Sequence, residues 1–205
     1  MDKKILHLEP TSRCQLSCPS CPRTRFIDLI PIRDVSIDLV IRNLHGFDEI
    51  YMCGNHGDAI YHPQFHELLA AIRENHPGVR IQFETNGSGR TKAWWEQTAS
   101  YLTKRDCVIF SVDGMRDTNH IYRIGSKWDS IETGMRALRT SNPDVKMHWK
   151  WIVFHHNQDQ VKSAFWLSRD IGFTKFTVVK SDRDKGDHWL NPTRDMDDIM
   201  LDIHD

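Results

Sequence analysis

Three cysteines near the start of the chain have a spacing that suits metal chemistry. Cys14, Cys18 and Cys21 form the pattern C-x3-C-x2-C. Cysteine thiolates are the usual protein ligands of iron–sulfur clusters, and a four-iron cluster needs a ligand for each iron. Three thiolates leave one iron open to another molecule. The spacing therefore predicts a cluster at which chemistry takes place.

Zinc binding and disulfide bonding are the other common uses of such cysteines. A structural zinc ion takes four protein ligands, and no second C-x2-C or H-x3-H pair lies at a plausible distance. Five cysteines in 205 residues is an odd and sparse number for a secreted chain held by disulfides. Cys53 and Cys107 fall in strand-like runs, where cysteine is usually a small buried apolar residue. A cluster is the favoured use of the other three.

Length and charge limit the remaining function classes. The chain has 205 residues, enough for one domain with a sizeable core. Its 27 Lys and Arg residues balance 28 Asp and Glu residues, so no basic excess favours nucleic acid or an anionic membrane surface. No apolar run reaches the roughly 20 residues of a membrane span, and the first residues lack a signal-peptide core. These features predict a cytoplasmic protein, where thiols stay reduced.

The chain alternates between strand-like and helix-like runs, which is typical of a parallel α/β fold. Six short runs, mostly rich in β-branched or aromatic residues, predict strands at Lys4–Glu9, Glu49–Cys53, Arg80–Thr85, Asp106–Ser111, Lys146–Phe154 and Lys175–Lys180. Runs with apolar residues near helical spacing predict helices at Ser36–Leu44, Gln64–Asn75, Lys92–Leu102, Ser130–Arg139 and Asp159–Asp170. Residues 1–181 are expected to form the core domain. Residues 182–205 are expected to form its polar tail, with a loop and a short edge helix.

Polar and glycine-rich segments follow four of the predicted strands. The cysteines follow the first strand, Gly54–Asp58 the second, Asn86–Gly89 the third and Val112–Gly114 the fourth. In parallel α/β folds the carboxyl ends of the strands lie on one side, and ligands bind there. We therefore expect these segments to meet at the mouth of one site.

In this order the motifs resemble those of the radical S-adenosylmethionine (radical SAM) enzymes. That family carries a cysteine loop of this spacing after the first strand of a partial (β/α)6 barrel. The run His56–Phe65 resembles its G-G-E-P and L-L-H-P-x-F segments, and Thr85-Asn86-Gly87 is a further family-like feature. Ser111–Gly114, with Arg123 downstream, resembles the S-x-D-G segment of the peptide- and protein-modifying (SPASM-type) branch. The resemblance covers nearly the whole chain and implies an α/β fold, a partial (β/α)6 TIM-like barrel with parallel strands.

The resemblance also implies two cofactors and a reaction. Cys14, Cys18 and Cys21 would hold a [4Fe-4S] cluster, and S-adenosylmethionine would chelate its fourth iron. An electron from a reductant such as flavodoxin or ferredoxin would then cleave S-adenosylmethionine to a 5′-deoxyadenosyl radical, which abstracts hydrogen from a substrate. The branch implies a peptide or protein side chain as substrate. A small molecule such as a nucleotide or sugar, and a non-catalytic iron–sulfur electron carrier or sensor, are the alternatives.

Six further residues are assigned to cofactor binding through this resemblance: Gly57, Asp58, Asn86, Ser111, Asp113 and Arg123. Asp58 would accept a hydrogen bond from the amino group of S-adenosylmethionine, and Gly57 would let the backbone come close. Arg123 would pair with the cofactor carboxylate, and Ser111 would add a hydroxyl. Asn86 and Asp113 would contact the ribose. A helix-start or turn role for the acids and Asn86, and a solvated role for Arg123, are the alternatives.

The chain departs from the family pattern at several positions. Ser20 occupies a position that is usually aromatic and packs near the cofactor's adenine, so the adenine contact is expected to be rearranged. Asp58 replaces the usual Glu, Ala59 the usual Pro and His56 the usual Gly. The 205 residues hold no cysteine-rich segment of the kind that carries auxiliary clusters at the C-terminal end of the SPASM-type branch, so the substrate is expected to be handled without such clusters. On the fifth predicted strand, His148 and Lys150 alternate with tryptophans, and the pattern alone leaves open which side faces inward.

Overall fold

The computed structural model describes residues 3–180, 190–201 and 203, so the predicted loop at 182–189 lies outside the described residues. The described strands are Ile5–Leu8 (β1), Glu49–Met52 (β2), Arg80–Thr85 (β3), Cys107–Ser111 (β4), Lys146–Val153 (β5) and Lys175–Lys180 (β6). The described helices are Pro22–Arg25 (α1), Ile37–Asn43 (α2), Phe65–Asn75 (α3), Lys92–Ser100 (α4), Asn119–Tyr122 (α5), Trp128–Ser141 (α6), Val161–Ile171 (α7) and Met196–Leu201 (α8). Two 3-10 turns lie at Ala59–Tyr61 and Gln158–Gln160.

The strands form one parallel sheet in the order β1-β2-β3-β4-β5-β6. Helices connect successive strands, as parallel pairing requires. Within the described part of the chain β1 and β6 are the two edges of the sheet, so the barrel is partial and not closed. The predicted fold class is confirmed. The loops that carry the polar motifs all leave the sheet at its carboxyl edge.

Alternation along β5 settles which side of this strand faces inward. Trp149, Trp151 and Val153 are fully buried in the core between sheet and helices. His148, Lys150 and Ile152 lie on the opposite face and are only half-buried. Successive side chains of a strand point to opposite faces, so the polar residues of β5 face the inside of the partial barrel.

Two helices begin or end at residues that cap helices well. The Ser36 hydroxyl accepts a hydrogen bond from Leu39 N at 3.3 Å and caps α2. α7 ends at Gly172, whose φ of +93° favours glycine. The short helices α1 and α5 were not predicted, because four residues are too few to show a helical apolar period. None of the described helices is long and apolar enough to cross a membrane.

The C-terminal part is better anchored than its polar composition indicates. α8 confirms the short helix that was predicted there. Leu190 and Ile199 are fully buried, Leu190 against Leu16 and Phe154 and Ile199 in the main core. The described part of the tail therefore packs on the core domain.

We expect the substitution Gly134→Ala to lower the free energy of unfolding by about 1–3 kcal/mol. A Cβ at Gly134 in α6 would clash with the indole of Trp95, which is fully buried and has no room to move. Gly78→Ala is the matched control, because a Cβ there meets nothing within 4 Å and should change stability by less than about 0.5 kcal/mol. Urea unfolding of both variants checks this. Equal urea midpoints for the two variants would contradict the prediction, because they would show that α4, which carries Trp95, can move away from α6.

Candidate active site

A cavity of about 550 Å³ lies at the carboxyl edge of the sheet. Each of the six strands, or the loop that follows it, contributes to its wall. Eight of the nine predicted site residues line it: Cys14, Cys18, Cys21, Gly57, Asp58, Asn86, Ser111 and Arg123. The ninth, Asp113, lies behind the wall. The prediction that the motifs meet at one mouth agrees with this geometry.

The three cysteines lie on one wall of the cavity, and none of them forms a disulfide. Cys21 caps the N-terminus of α1, with Pro22 in the first helical position, and its backbone N–H donates to Cys18 O at 3.1 Å. The Cys14 thiol accepts a hydrogen bond from Leu16 N at 3.5 Å. The turn and the helix start thus fix the backbone of the cysteine loop, while Cys18 packs in a small buried cluster with Cys14 and Cys21 against its edge.

Burial makes an isolated thiolate unfavourable at this wall. Burial raises the pKa of Cys14 to about 12, and the charge of Asp58 acts in the same direction. Burial also raises the pKa of Cys18, although the charge of Arg123 opposes it. These thiols therefore ionise together with the binding of a cation. The described part of the chain holds no group of three donors placed for a single metal ion. A cubane suits the cysteines better, because it takes each thiolate on a different iron.

Asp58 joins the loops that follow β2 and β3. The residue is 3% exposed, and its Oδ2 accepts hydrogen bonds from Thr85 Oγ1 at 3.1 Å and from Asn86 N at 2.8 Å, as well as from the Asn86 side chain. Its Oδ1 accepts from Ile60 N at 3.2 Å and starts the turn Ala59–Tyr61. Burial raises the pKa of Asp58 to about 6, and these hydrogen bonds oppose the rise. Asp58 therefore has the helix-start role that was one of the two alternatives for it, and its contact with a cofactor stays a prediction.

Asn86 and Gly57 connect these loops to the cysteines. Asn86 Oδ1 accepts from Gln15 Nε2 at 2.9 Å, and its amide nitrogen lies 3.7 Å from Cys14 Sγ. Gly57 packs so closely on the Thr11 backbone that any Cβ would clash with it. The structure therefore supplies a packing reason for glycine at position 57, beside the predicted approach of a ligand.

Arg123 and Asp113 form a buried ion pair behind the cysteine wall. Arg123 Nε and Nη2 each donate to Asp113 Oδ2 at 2.7 Å. Asp113 Oδ1 accepts from Ile152 N at 2.8 Å, and the Asp113 carboxylate is fully buried. The Arg123 side chain is only 16% exposed, so it is not a solvated loop cation. Its guanidinium lies close enough to the Cys18 thiol to lower the pKa of that thiol, against the effect of burial. Asp113 thus positions Arg123, and its predicted ribose contact stays a prediction.

The floor of the cavity carries a carboxylate that the sequence analysis did not single out. Glu84 in β3 accepts hydrogen bonds from Tyr51 Oη at 2.8 Å and Lys150 Nζ at 3.2 Å, and also from the hydroxyl of Ser111. Burial acts to raise the pKa of Glu84, but Lys150 and these hydrogen bonds outweigh it and hold the pKa below its usual value. The alternation of polar residues at Arg80, Gln82 and Glu84 was the available signal.

The two remaining cysteines differ in their surroundings. Both are buried and free, as predicted. Cys53 follows β2 and lines the cavity, with its Sγ 3.7 Å from His7 Nδ1. Cys107 lies at the start of β4, at the opposite edge of the sheet, and does not line the cavity.

Comparison with known proteins places this geometry among related structures. No protein-family model matches the chain. The tungsten-containing aldehyde ferredoxin oxidoreductase cofactor-modifying protein of Pyrococcus furiosus is 28% identical over 127 residues, which are 60% of this chain and 34% of that protein. Streptococcus suis SuiB bound to S-adenosylmethionine has a TM-score of 0.75 at 16% identity, covering 98% of this chain and 46% of SuiB.

A third similar protein is TsrM of Kitasatospora setae, a radical S-adenosylmethionine methyltransferase solved with cobalamin and a [4Fe-4S] cluster. It has a TM-score of 0.63 at 11% identity and covers 87% of this chain and 36% of its own. These structural neighbours are radical SAM enzymes, and the chain has their fold. The chain spans about a third of the curated relative and less than half of these solved structures.

We expect Asp113→Asn to lower the free energy of unfolding by about 3–5 kcal/mol, because it leaves the buried Arg123 guanidinium without an anionic partner. Asp129→Asn is the matched control. Asp129 pairs with Arg116 at the surface with its side chain 82% exposed, and its loss should cost about 1 kcal/mol or less. Urea unfolding measures both.

The double variant Asp113→Asn with Arg123→Met should recover part of the loss, since it removes the unpaired charge. If Asp113→Asn costs no more than the surface control, the buried pair does not hold Arg123 in place.

Proposed function

We propose that the chain is a radical SAM enzyme, built on a core domain of residues 1–181 with residues 182–205 as its tail. The observation that carries this proposal is the set of three thiols from the loop after β1 on one wall of a cavity at the carboxyl edge of the sheet, where the fourth lining thiol, Cys53, belongs to a different loop and lies beside His7. The shared fold supports it. A pure electron carrier would have no use for a cavity of about 550 Å³ beside its cluster.

Each wall of the cavity would have its own task. Cys14, Cys18 and Cys21 would hold a [4Fe-4S] cluster, which with bound S-adenosylmethionine supplies a 5′-deoxyadenosyl radical when it is reduced. Gly57 and Asp58 would receive the cofactor's amino group, with Asn86 beside them. Arg123 would face its carboxylate, and Asp113 would hold Arg123. Ser111 would release Glu84 in order to donate its hydroxyl to that carboxylate. The buried walls would keep water and oxygen from the reacting atoms.

We propose a peptide or protein side chain as the substrate. SuiB has also been solved with its precursor peptide SuiA, at a TM-score of 0.72 to this chain. A cavity of about 550 Å³ that also held the cofactor would have room for a single side chain or a small molecule and not for a folded domain. The polar floor at Tyr51, Glu84 and Lys150 would receive that group. A flavodoxin or ferredoxin would deliver the electron.

The direct test is anaerobic reconstitution with iron and sulfide, followed by reduction with dithionite in the presence of S-adenosylmethionine. We expect the wild type to form 5′-deoxyadenosine, measured by liquid chromatography. Cys18→Ala should lower this by at least about 100-fold, because the cluster loses one of its three protein ligands. Cys107→Ala should retain the activity, since this equally buried cysteine lies outside the cavity.

Iron and sulfide analysis of each variant separates the possible failures. A wild-type protein that binds a cluster but does not cleave S-adenosylmethionine would favour the electron carrier or sensor. Bound zinc without iron would contradict both the radical SAM enzyme and the iron–sulfur electron carrier. Equal loss in Cys18→Ala and Cys107→Ala would indicate general damage and not loss of a ligand.

A further inference from the structure

The cavity has two ends of different chemical character. The floor is polar, and its Tyr51 hydroxyl is already donated to Glu84 at 2.8 Å. The end beside the cysteine loop, here called the apolar end, carries the apolar side chains of Leu16, Ile152 and Val179 and the ring of Tyr122, with the Arg123 guanidinium 5.8 Å from the centre of that ring. A nucleobase has two flat apolar faces and a polar edge, and it binds best where an aromatic side chain meets apolar neighbours. The apolar end offers those conditions.

Tyr122 is held firmly at this apolar end. Its ring packs on Phe154 with the centroids 4.2 Å apart, and the residue is only 4% exposed. Leu16, Cys18 and Leu190 complete the surrounding cluster. Tyr122 is the last residue of α5, so it directly precedes the ion-paired Arg123. The ring is therefore pre-positioned and would lose little freedom when a ligand binds.

Ser20 explains why the aromatic ring comes from another element. Ser20 is 3% exposed and lies just before Cys21, at the position where an aromatic residue was expected. Its side chain is a hydrogen-bond partner of the Tyr122 hydroxyl. The small side chain at residue 20 thus lies at the tip of the Tyr122 ring, and of the two residues only Tyr122 lines the cavity.

We infer that Tyr122 supplies the aromatic contact for the adenine of S-adenosylmethionine, in place of an aromatic residue at position 20. This inference rests on the proposed function. It places the base between Tyr122 and Ile152, and it leaves the polar floor free for the substrate. Ser20 and Tyr122 then form a complementary pair, so that an aromatic side chain restored at residue 20 can replace the ring of Tyr122.

The test is equilibrium dialysis of reconstituted, unreduced protein against S-adenosylmethionine and, separately, 5′-deoxyadenosine. The second probe has the adenine but lacks the methionine. Tyr122→Leu should weaken binding of both probes by about tenfold or more, the usual effect of losing one base-stacking side chain. Tyr122→Phe keeps the ring and should stay within about threefold of wild type. Ser20→Phe added to Tyr122→Leu should restore most of the lost affinity.

Tyr101→Leu is the matched control, because Tyr101 is half-buried on the outer face and does not line the cavity. Iron content and the thermal midpoint are measured for every variant. If Tyr122→Leu does not fold or hold iron, Tyr122→Met replaces it, because Met fills a similar space without a ring and should also weaken binding of both probes by about tenfold.

Three outcomes would overturn the inference. The first is that Tyr122→Leu binds S-adenosylmethionine and 5′-deoxyadenosine as tightly as the wild type does. The second is that Tyr122→Leu loses affinity for S-adenosylmethionine but still binds 5′-deoxyadenosine. Tyr122 would then act on the methionine part of the cofactor and not on its adenine. The third is a wild-type protein with a complete cluster that binds neither probe, and this one contradicts the proposed function as well.

Discussion

The buried carboxylate of Asp58 is the interaction on which the geometry of the site depends. It accepts hydrogen bonds from Thr85 and Asn86 after β3 and from Ile60 after β2. Asn86 passes this connection to the cysteine loop through Gln15 and lies beside Cys14. Hydrogen bonds to a charged acceptor stabilise by about 1.5–3 kcal/mol each, so several together offset the cost of burying the charge. Three separate loops are thereby held as one wall.

A second buried carboxylate, that of Asp113, holds another part of the site in place. Asp113 fixes Arg123 to β5 through Ile152 N, and Arg123 in turn reaches Cys18. The floor repeats the arrangement, since Glu84 holds Lys150, whose side chain stays 38% exposed. In each case a buried carboxylate orients a cation near the cavity. The site is therefore preorganised by charges that lie behind or beneath its surface.

Much of this arrangement was predictable from local sequence, and the exceptions have physical causes. Strand positions and the clustering of loops follow from alternation and from the geometry of parallel sheets, which any chain of this pattern shares. The roles of Asp113 and Glu84 depend on partners 10 to 66 residues away, such as Arg123 and Lys150, which no local pattern identifies. The inward face of β5 became clear only when Trp149 and Trp151 were found in the core. Ser20 was recognisable as an exception, but its contact with Tyr122 depends on how α5 packs.

If the three cysteines hold a four-iron cluster as proposed, they leave one iron open for S-adenosylmethionine. The most direct measurement is electron paramagnetic resonance of the reconstituted, reduced protein, with and without the cofactor carrying ¹⁷O in its carboxylate. The account predicts that the cofactor changes the cluster spectrum and that electron–nuclear double resonance detects an ¹⁷O coupling. An intact cluster whose spectrum is unchanged by the cofactor, with no coupling, would contradict it.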